Sequence, residues 1–267
     1  MSVKNSFIQI ANIVTGRIFP GRGITVLPSD VFIVSYPKSG NTWTRFLIGN
    51  AIYTDVPLDF INVEKLVPDI YLHTDSYLLQ IEKPRILKSH EYFHPKYKKV
   101  VYIVRDPRDV LVSYYHHLIK CRRIDSSYPL EKFAAQFISG EFDSYGSWYE
   151  NVAGWIRVKK PGKELLLVRY EDMLADTMRE LERIIVFLGI ERNFDHISAA
   201  INRSSKESMQ ELERKQADQW ETTKGTNLNL PFVREGKAGT WEGYLPVLVT
   251  DMIEDAWGDV MQELGYL

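Results

Sequence analysis

Four short apolar segments of the chain have the composition of buried β-strands. They span residues 31–35, 85–89, 100–104 and 165–169, and each is rich in Val, Ile or Leu. Continuous apolar runs of this length are typical of parallel strands that are covered on both faces. Segments with helical spacing of apolar residues lie between and after them, at 41–53, 107–120, 130–139, 148–160, 173–188, 194–202 and 246–264. This alternation predicts an α/β fold with a central, mostly parallel sheet flanked by helices.

No linker or change of composition divides this pattern, so we predict a single domain over residues 1–267. Residues 1–26 form an N-terminal lead-in, within which the weakly amphipathic stretch 7–19 predicts a docking helix or a frayed segment. Residues 222–240 are polar and contain several glycines and a proline. Since this stretch is too long for a simple connector, we predict that it is a functional flap.

Composition excludes several classes of protein. The chain is 45% apolar and 25% charged, as in globular proteins, and its net charge of −2 argues against a general nucleic-acid binder. Cys121 is the single cysteine, so no internal disulfide is possible. No apolar run approaches the ~20 residues of a membrane span, and the N-terminus lacks a secretory signal pattern. These features predict a cytoplasmic protein without stable membrane insertion.

The most informative segment is the loop after the first strand, because it has the features of a phosphate-binding loop. A strand, a tight turn and a helix follow one another here, which leaves free N–H groups at the positive end of the helix. Lys38 adds a point charge, and Gly40 allows the backbone to approach a ligand closely. Further donors come from Ser39, Asn41 and Thr42. The Walker A spacing is absent, so we predict a P-loop-like site of another kind.

Polar residues also follow the other strands, at the edge where parallel sheets bind ligands. Arg105 follows the third strand and suits bidentate phosphate binding, with Ser113 two helical turns further on. Asp106 and Pro107 at the helix start, and Asp109 in its first turn, are explained as helix-capping residues. Lys88 and His90 end the second strand, and an imidazole here suits a general base.

Two further segments complete the candidate site. Tyr170 follows the fourth strand, where its ring can contact a ligand. Arg234 and the backbone near Gly236 lie in the predicted flap, where they can close over a phosphate. The pattern favours a packing role for His116 and His117, which lie deeper in a helix.

Taken together and in this order, these motifs resemble those of the cytosolic-type sulfotransferases that use 3′-phosphoadenosine 5′-phosphosulfate (PAPS). Residues 36–43 fit the family's Y-P-K-S-G-x-T-W loop, and Lys88-Ser89-His90 fits its K-T-H strand end. The remaining matches are the R-x-P-x-D-x-x-x-S segment at 105–113, Y-G-S-W at 145–148, Y-E-D at 170–172 and, except at position 235, R-K-G-x-x-G-x-W at 234–241. The resemblance extends from about residue 27 to the C-terminus.

The resemblance implies roles for individual residues. It implies that residues 38–42 hold the 5′-phosphosulfate end of PAPS, and that Trp43 and Tyr170 contact the adenine. It assigns the 3′-phosphate to Arg105, Ser113, Arg234 and Gly236, and implies 3′-phosphoadenosine 5′-phosphate (PAP) as the product. His90 corresponds to the catalytic base, Lys38 to the group that stabilises the leaving phosphate, and Lys88 to a group beside the sulfuryl oxygens. No metal is required.

The chain departs from the family pattern near the predicted flap and before it. Glu235 stands where the family often has Lys, and it is compatible with a 3′-phosphate only if it points outward or Lys237 compensates. Ser204-Ser205-Lys206 stands where an aromatic residue often follows two hydroxyl residues, so we expect Ser204 but no phenyl ring at the cofactor. The C-terminal dimer segment of many animal members is absent, and a dimer of that type is not predicted.

The acceptor is predicted to be a small molecule that carries a hydroxyl group and is partly apolar. Tyr92, Phe93, Phe142, Tyr145 and Trp148 are candidates for an aromatic acceptor wall or for the core, while His73, Asp75 and Glu91 could mark a polar acceptor. Two other functions stay open: a nucleotide-dependent kinase-like transferase, and a catalytically silent nucleotide-binding protein of the same fold.

Overall fold

The fold is built on one parallel β-sheet. A computed structural model describes residues 23–159 and 162–267. The predicted stretch 7–19 and most of the lead-in 1–26 therefore lie outside the described residues. The four strands are β1 (Val31–Ser35), β2 (Ile86–Ser89), β3 (Lys99–Val104) and β4 (Leu165–Arg169). They are hydrogen-bonded in the order β2-β1-β3-β4, and every pair is parallel.

Helices connect and cover the strands. They are α1 (Asn41–Ile52), α2 (Val63–Leu66), α3 (Asp75–Leu78), α4 (Pro107–Lys120), α5 (Leu130–Ile138), α6 (Trp148–Val158), α7 (Tyr170–Ala175), α8 (Thr177–Leu188), α9 (Phe194–Arg203), α10 (Lys206–Gln216) and α11 (Val247–Glu263). None of these described helices is both long enough and apolar enough to cross a lipid bilayer. The predicted fold class, a parallel sheet flanked by helices, is confirmed.

The strands are mostly apolar because both faces of the sheet are covered. Phe32 and Val34 pack into one apolar cluster, with α4, α5, α6 and α11. Ile33 and Val31, which point the other way, pack into a second cluster with α1, α8 and α9. Alternate side chains of a strand point to opposite faces, so the apolar side chains of β1 are divided between the two clusters, and all five residues of this strand are buried.

One predicted helix differs from those observed, and three observed helices were not predicted. The predicted helix 173–188 is two helices, α7 and α8, because Asp176 leaves the helical conformation and caps α8 by accepting from the Arg179 N–H at 3.0 Å. The pattern did not predict α10, whose sequence is almost entirely polar and which buries only Met209 and Glu213. The short helices α2 and α3 were also not predicted.

The order of the strands determines where ligands can bind. The chain leaves β1 for β2 on one side and later returns to β3 on the other, so a crevice opens between β1 and β3 at their carboxyl ends. The loop 36–40, His90, Arg105 and Tyr170 all follow directly from carboxyl ends of the four strands. The sheet therefore brings together residues that are as much as 130 positions apart in sequence.

Candidate active site

A cavity of about 650 Å³ lies at this edge of the sheet. Fourteen of the fifteen predicted site residues line it: Lys38, Gly40, Asn41, Thr42, Trp43, Lys88, His90, Arg105, Ser113, Tyr170, Ser204, Arg234, Glu235 and Gly236. The exception is Ser39, which is buried and does not line the cavity, because the turn directs its side chain into the protein. The backbone N–H of Ser39 donates to the Tyr36 carbonyl at 3.3 Å.

The loop that enters α1 has a backbone suited to close approach. Lys38 and Gly40 both have positive φ, 68° and 99°. A Cβ atom on Gly40 would lie 2.5 Å from Tyr170 Cδ2, so only glycine allows the Tyr170 ring to pack against the loop. Thr44 donates its backbone N–H to the Gly40 carbonyl, and α1 begins without a side-chain cap. The N–H groups of the first turn are thus directed toward the cavity side of the loop.

Asn41 connects the loop to two strands from within the protein. Its amide Nδ2 donates to the Ile33 carbonyl and to Ser35 Oγ, each at 3.2 Å, and to the Ser89 carbonyl at 3.4 Å. It is 4% exposed. This side chain ties the ends of β1 and β2 together, which holds the loop and His90 at a fixed separation.

Lys38 is the most perturbed cation of the cavity. Its Nζ lies 4.3 Å from the centroid of the Phe232 ring, and no carboxylate in the described chain is within ion-pair distance of it. Burial, together with the nearby positive charges of Arg234, Arg105 and Lys88, lowers the pKa of Lys38 to about 7. The cavity therefore contains an excess of positive charge that a bound anion would relieve.

His90 is oriented by the first strand. Its Nδ1 lies 2.8 Å from the Ser35 carbonyl oxygen. Because a carbonyl only accepts, Nδ1 carries the proton and Nε2 is the basic nitrogen. Burial lowers the pKa of His90 well below its usual range, and the positive charge of Lys88 adds to this. The imidazole is therefore neutral at pH 7, as a general base must be.

Lys88 lies beside His90 on the same strand and has a carboxylate partner. Its Nζ forms a close ion pair with Asp69, and both side chains are almost completely buried. A bridge between the backbones of Asp69 and Lys88 adds to this contact. The ammonium group is thus held in one position at the cavity wall by a residue outside the predicted site.

Arg105, Tyr170 and Trp43 form a stacked group opposite His90. The Arg105 guanidinium lies 4.4 Å from the Tyr170 ring centroid, and the Tyr170 and Trp43 rings meet edge to face at 5.8 Å. Trp43 Nε1 donates to the Ser204 carbonyl at 3.0 Å. Arg105 Nε is buried and lacks a hydrogen-bond partner in the described chain. An unsatisfied guanidinium N–H of this kind is available to an anionic ligand.

Asp109 was explained from sequence as a first-turn acid, but the structure gives it a larger role. Its carboxylate accepts from the Gly239 N–H at 2.8 Å, from Thr240 Oγ1 at 2.9 Å and from the Trp241 N–H at 3.1 Å. It also lies 3.5 Å from Arg105 Nη2. One buried carboxylate therefore fixes the C-terminal end of the predicted flap to helix α4.

The other part of the flap is held by α10, the helix that the sequence did not predict. The Glu213 carboxylate accepts from the backbone N–H groups of Phe232 and Val233, and Gln210 Nε2 donates to the Val233 and Arg234 carbonyls at 3.0 and 3.2 Å. Glu213 is buried and Gln210 is half-buried. The flap 222–240 thus forms an ordered wall of the cavity without helix or strand of its own.

The structure locates the two residues that depart from the family pattern. The Glu235 side chain is 55% exposed and pairs with Arg234 Nη2 at 3.3 Å, at the edge of the cavity that both residues line. Lys206 lines the cavity, and its Cδ lies 3.5 Å from the position of a Cβ on Gly236. The cationic side chain of Lys206 therefore lies beside the flap, at the position where the family often has an aromatic ring.

Comparisons with known proteins agree with this arrangement. A family model described as the sulfotransferase domain matches residues 28–265. The chain belongs to the sulfotransferase family. It is 30% identical to sulfotransferase 1B1 of Canis lupus familiaris over 82% of this chain and 79% of that protein. It is 27% identical to sulfotransferase 1E1 of Rattus norvegicus over 88% of this chain and 84% of that protein.

Solved structures of sulfotransferases have the same fold. The crystal structure of mouse sulfotransferase SULT7A1 complexed with PAP superposes with a TM-score of 0.72 at 26% identity, and the match covers 89% of this chain and 85% of that one. The predicted resemblance to the sulfotransferases is therefore confirmed. The kinase-like alternative is set aside, because the match spans all the strand ends that form the cavity.

The side of the cavity where we predicted an aromatic acceptor wall is built differently. Of the five aromatic candidates, only Tyr145 lines the cavity. Phe142 and Trp148 pack into the core, where Phe142 stacks on Phe133 at 4.5 Å. The residues that do line this side are Tyr114, His117, Arg123, Asp143 and Tyr145, together called the acceptor wall below. The packing role predicted for His117 is incomplete, because its buried ring also faces the cavity.

Proposed function

We propose that this sulfotransferase moves a sulfuryl group from PAPS to the hydroxyl group of a small acceptor, with His90 as the general base. PAPS is the donor on the strength of family membership and of the PAP-bound relative. The observation that supports the role of His90 is its orientation: Nδ1 is occupied by the Ser35 carbonyl at 2.8 Å, which leaves Nε2 free to take a proton.

The donor is held by residues from the strand ends and from the flap. The loop 38–42 binds the phosphosulfate end through backbone N–H groups and the Lys38 ammonium. Arg105, Ser113 and Arg234 bind the 3′-phosphate, and Trp43 and Tyr170 contact the adenine. Two observations support this fit: Arg105 Nε has no partner in the described chain, and Lys38 lies among cations without a carboxylate.

In the proposed step, the acceptor oxygen attacks sulfur while the bond from sulfur to the phosphate oxygen of the donor breaks. His90 Nε2 takes the hydroxyl proton, and the positive charge on His90 is stabilised by its hydrogen bond to Ser35. Lys38 faces the leaving phosphate oxygen, where negative charge grows. Lys88, held by Asp69, faces the sulfuryl oxygens. Positioning and charge stabilisation carry most of the rate in group transfers of this kind.

The test compares His90→Gln with the matched control His196→Gln, since His196 is exposed on α9. Release of PAP from PAPS is followed in excess chelator with a panel of phenols, alcohols, amines and sugars. We expect His90→Gln to lower kcat about 10²–10⁴-fold, with PAP affinity within about threefold of the parent, and His196→Gln to leave both unchanged. Near-parental turnover by His90→Gln would place the base elsewhere, and absence of PAP release with every acceptor would indicate a silent nucleotide-binding protein.

A further inference from the structure

The acceptor wall is polar, although its rings are aromatic. Its members Tyr114, His117, Arg123, Asp143 and Tyr145 all carry a group that can form hydrogen bonds. They come from the C-terminal half of α4 and from the segments on either side of α5. None of them belongs to the loops that we assign to the donor. This wall therefore recognises the part of the acceptor that the donor-binding loops do not contact.

Asp143 is the one carboxylate of the acceptor wall, and it is held rigidly. Its Oδ2 accepts from the Tyr114 hydroxyl at 2.5 Å, and its Oδ1 accepts from the Tyr145 N–H at 2.8 Å. The Tyr145 ring lies 5.5 Å from the His90 ring, centroid to centroid. A ligand that reaches Asp143 is thus separated from the base by the width of about one aromatic side chain.

The charge of Asp143 has no ion-pair partner in the described chain. Lys88 and Arg45, two cations whose charges act on His90, are already paired with Asp69 and Glu64. Arg123 donates Nη2 to the Phe142 carbonyl at 2.7 Å and is not within ion-pair distance of Asp143. Burial raises the pKa of Asp143, whereas its hydrogen bonds to Tyr114 and Tyr145 and the positive charge of Arg123 lower it. A partly buried carboxylate whose nearest cation is beyond ion-pair distance is stabilised further when a ligand supplies a cation.

We propose that Asp143 binds an ammonium group of the acceptor, so that the preferred acceptors are phenols or alcohols that carry a cationic amine. This inference rests on the proposed function, because it requires the acceptor hydroxyl to lie at His90 Nε2. Each Asp143 oxygen accepts one hydrogen bond within the protein and retains a second acceptor site for the ammonium N–H. The rings of Tyr114 and Tyr145 flank the carboxylate and suit the apolar body of such an acceptor.

The experiment compares two acceptors of similar size, tyramine and 4-ethylphenol, which differ in the ammonium group. Their kcat/KM values are measured with PAPS, and their affinities are measured by calorimetry on the full chain saturated with PAP. We expect a preference for tyramine of about tenfold or more in both measurements, as for a charged hydrogen bond. Asp143→Asn is expected to reduce this preference to about threefold or less while the kcat for 4-ethylphenol stays within about threefold.

Two further variants separate recognition from folding. Tyr114→Phe removes one support of Asp143 but keeps its charge, so the preference for tyramine is expected to persist. Glu141→Gln removes an exposed carboxylate of the same loop and is expected to change nothing. Equal binding of the two acceptors by the parent, or a preference that survives Asp143→Asn, overturns the inference. If the inference fails but the parent protein still turns over 4-ethylphenol, the proposed sulfuryl transfer is unaffected. A parent protein that does not bind PAP would overturn the proposed function itself.

Discussion

The perturbed ammonium of Lys38 predicts that nucleotide binding is coupled to proton uptake. Burial, with the positive charges of Arg234, Arg105 and Lys88, holds the pKa of Lys38 at about 7 in the ligand-free protein. A phosphate beside it favours the charged form and raises this pKa toward its ordinary value. Because PAP binds the protonated form, its affinity is expected to fall as the pH rises through 7.

The magnitude follows from the protonated fraction of Lys38. With a pKa of about 7, this fraction is about one half at pH 7 and about one in a hundred at pH 9, so the Kd for PAP rises about 50-fold over this interval. An unperturbed lysine would give a change of less than about 10% over the same range. The phosphates add little to this change, since their second pKa is near 6.

Calorimetry measures both consequences. The Kd for PAP is determined at pH 7, 8 and 9, and the number of protons taken up is obtained at pH 8 from titrations in two buffers of different ionisation enthalpy. We expect uptake of about 0.9 proton at pH 8. Lys38→Arg is the matched control, because a guanidinium stays protonated over the whole range and removes the coupling. A parental Kd that changes less than about threefold, or an equal slope in Lys38→Arg, would refute the reasoning.

Three further predictions follow from the cavity wall. The carboxylate of Asp109 accepts three hydrogen bonds at the C-terminal end of the flap. Asp109→Asn is therefore expected to destabilise the flap by about 1.5–3 kcal/mol and to speed trypsin cleavage after Lys237 at least about tenfold. The exposed control Asp251→Asn should leave the cleavage rate unchanged, and equal rates in the two variants would show that other contacts hold the flap. Glu235→Gln removes the partner of Arg234 and is expected to tighten PAP binding about two- to fivefold at low salt; weaker binding would mean that Glu235 supports the site. Since burial lowers the pKa of His90, and the base must be neutral, the acidic limb of the kcat–pH profile is expected below pH 6.5; a half-maximal point above that value would contradict a buried imidazole.

The sheet and the donor side of the cavity were predictable because each signal is local in sequence. Strands β1 and β4 lie at the predicted residues, and Lys38, His90 and Arg105 each follow directly from a strand. Because the strands pair in parallel, their carboxyl ends lie at one edge of the sheet, and residues that directly follow different strands are therefore close together in space. The contacts that we propose for these residues with PAPS stay predictions.

The residues that sequence reading missed act at a distance. The spacing of Asp109 marks only a helix start, whereas its partners are 130 and more positions away. Helix α10 has almost no apolar face, so its sequence lacks the regular spacing of apolar residues by which a helix is predicted. Ser205 at its N-cap is the local signal for this helix. Phe142 and Tyr145 have similar aromatic character, yet one fills the core and the other lines the cavity, a difference that only packing decides.

The separation of the acceptor wall from the donor-binding loops has a consequence for how new specificities arise. Arg123, Asp143 and Tyr145 come from chain segments that carry none of the phosphate contacts we assign, so they can be exchanged without weakening nucleotide binding. The cavity is thus modular: the part that binds the nucleotide stays constant, and the part that selects the acceptor can be exchanged. Grafting segment 140–147 from a relative into this scaffold is accordingly the shortest route to redirecting which compounds it sulfates.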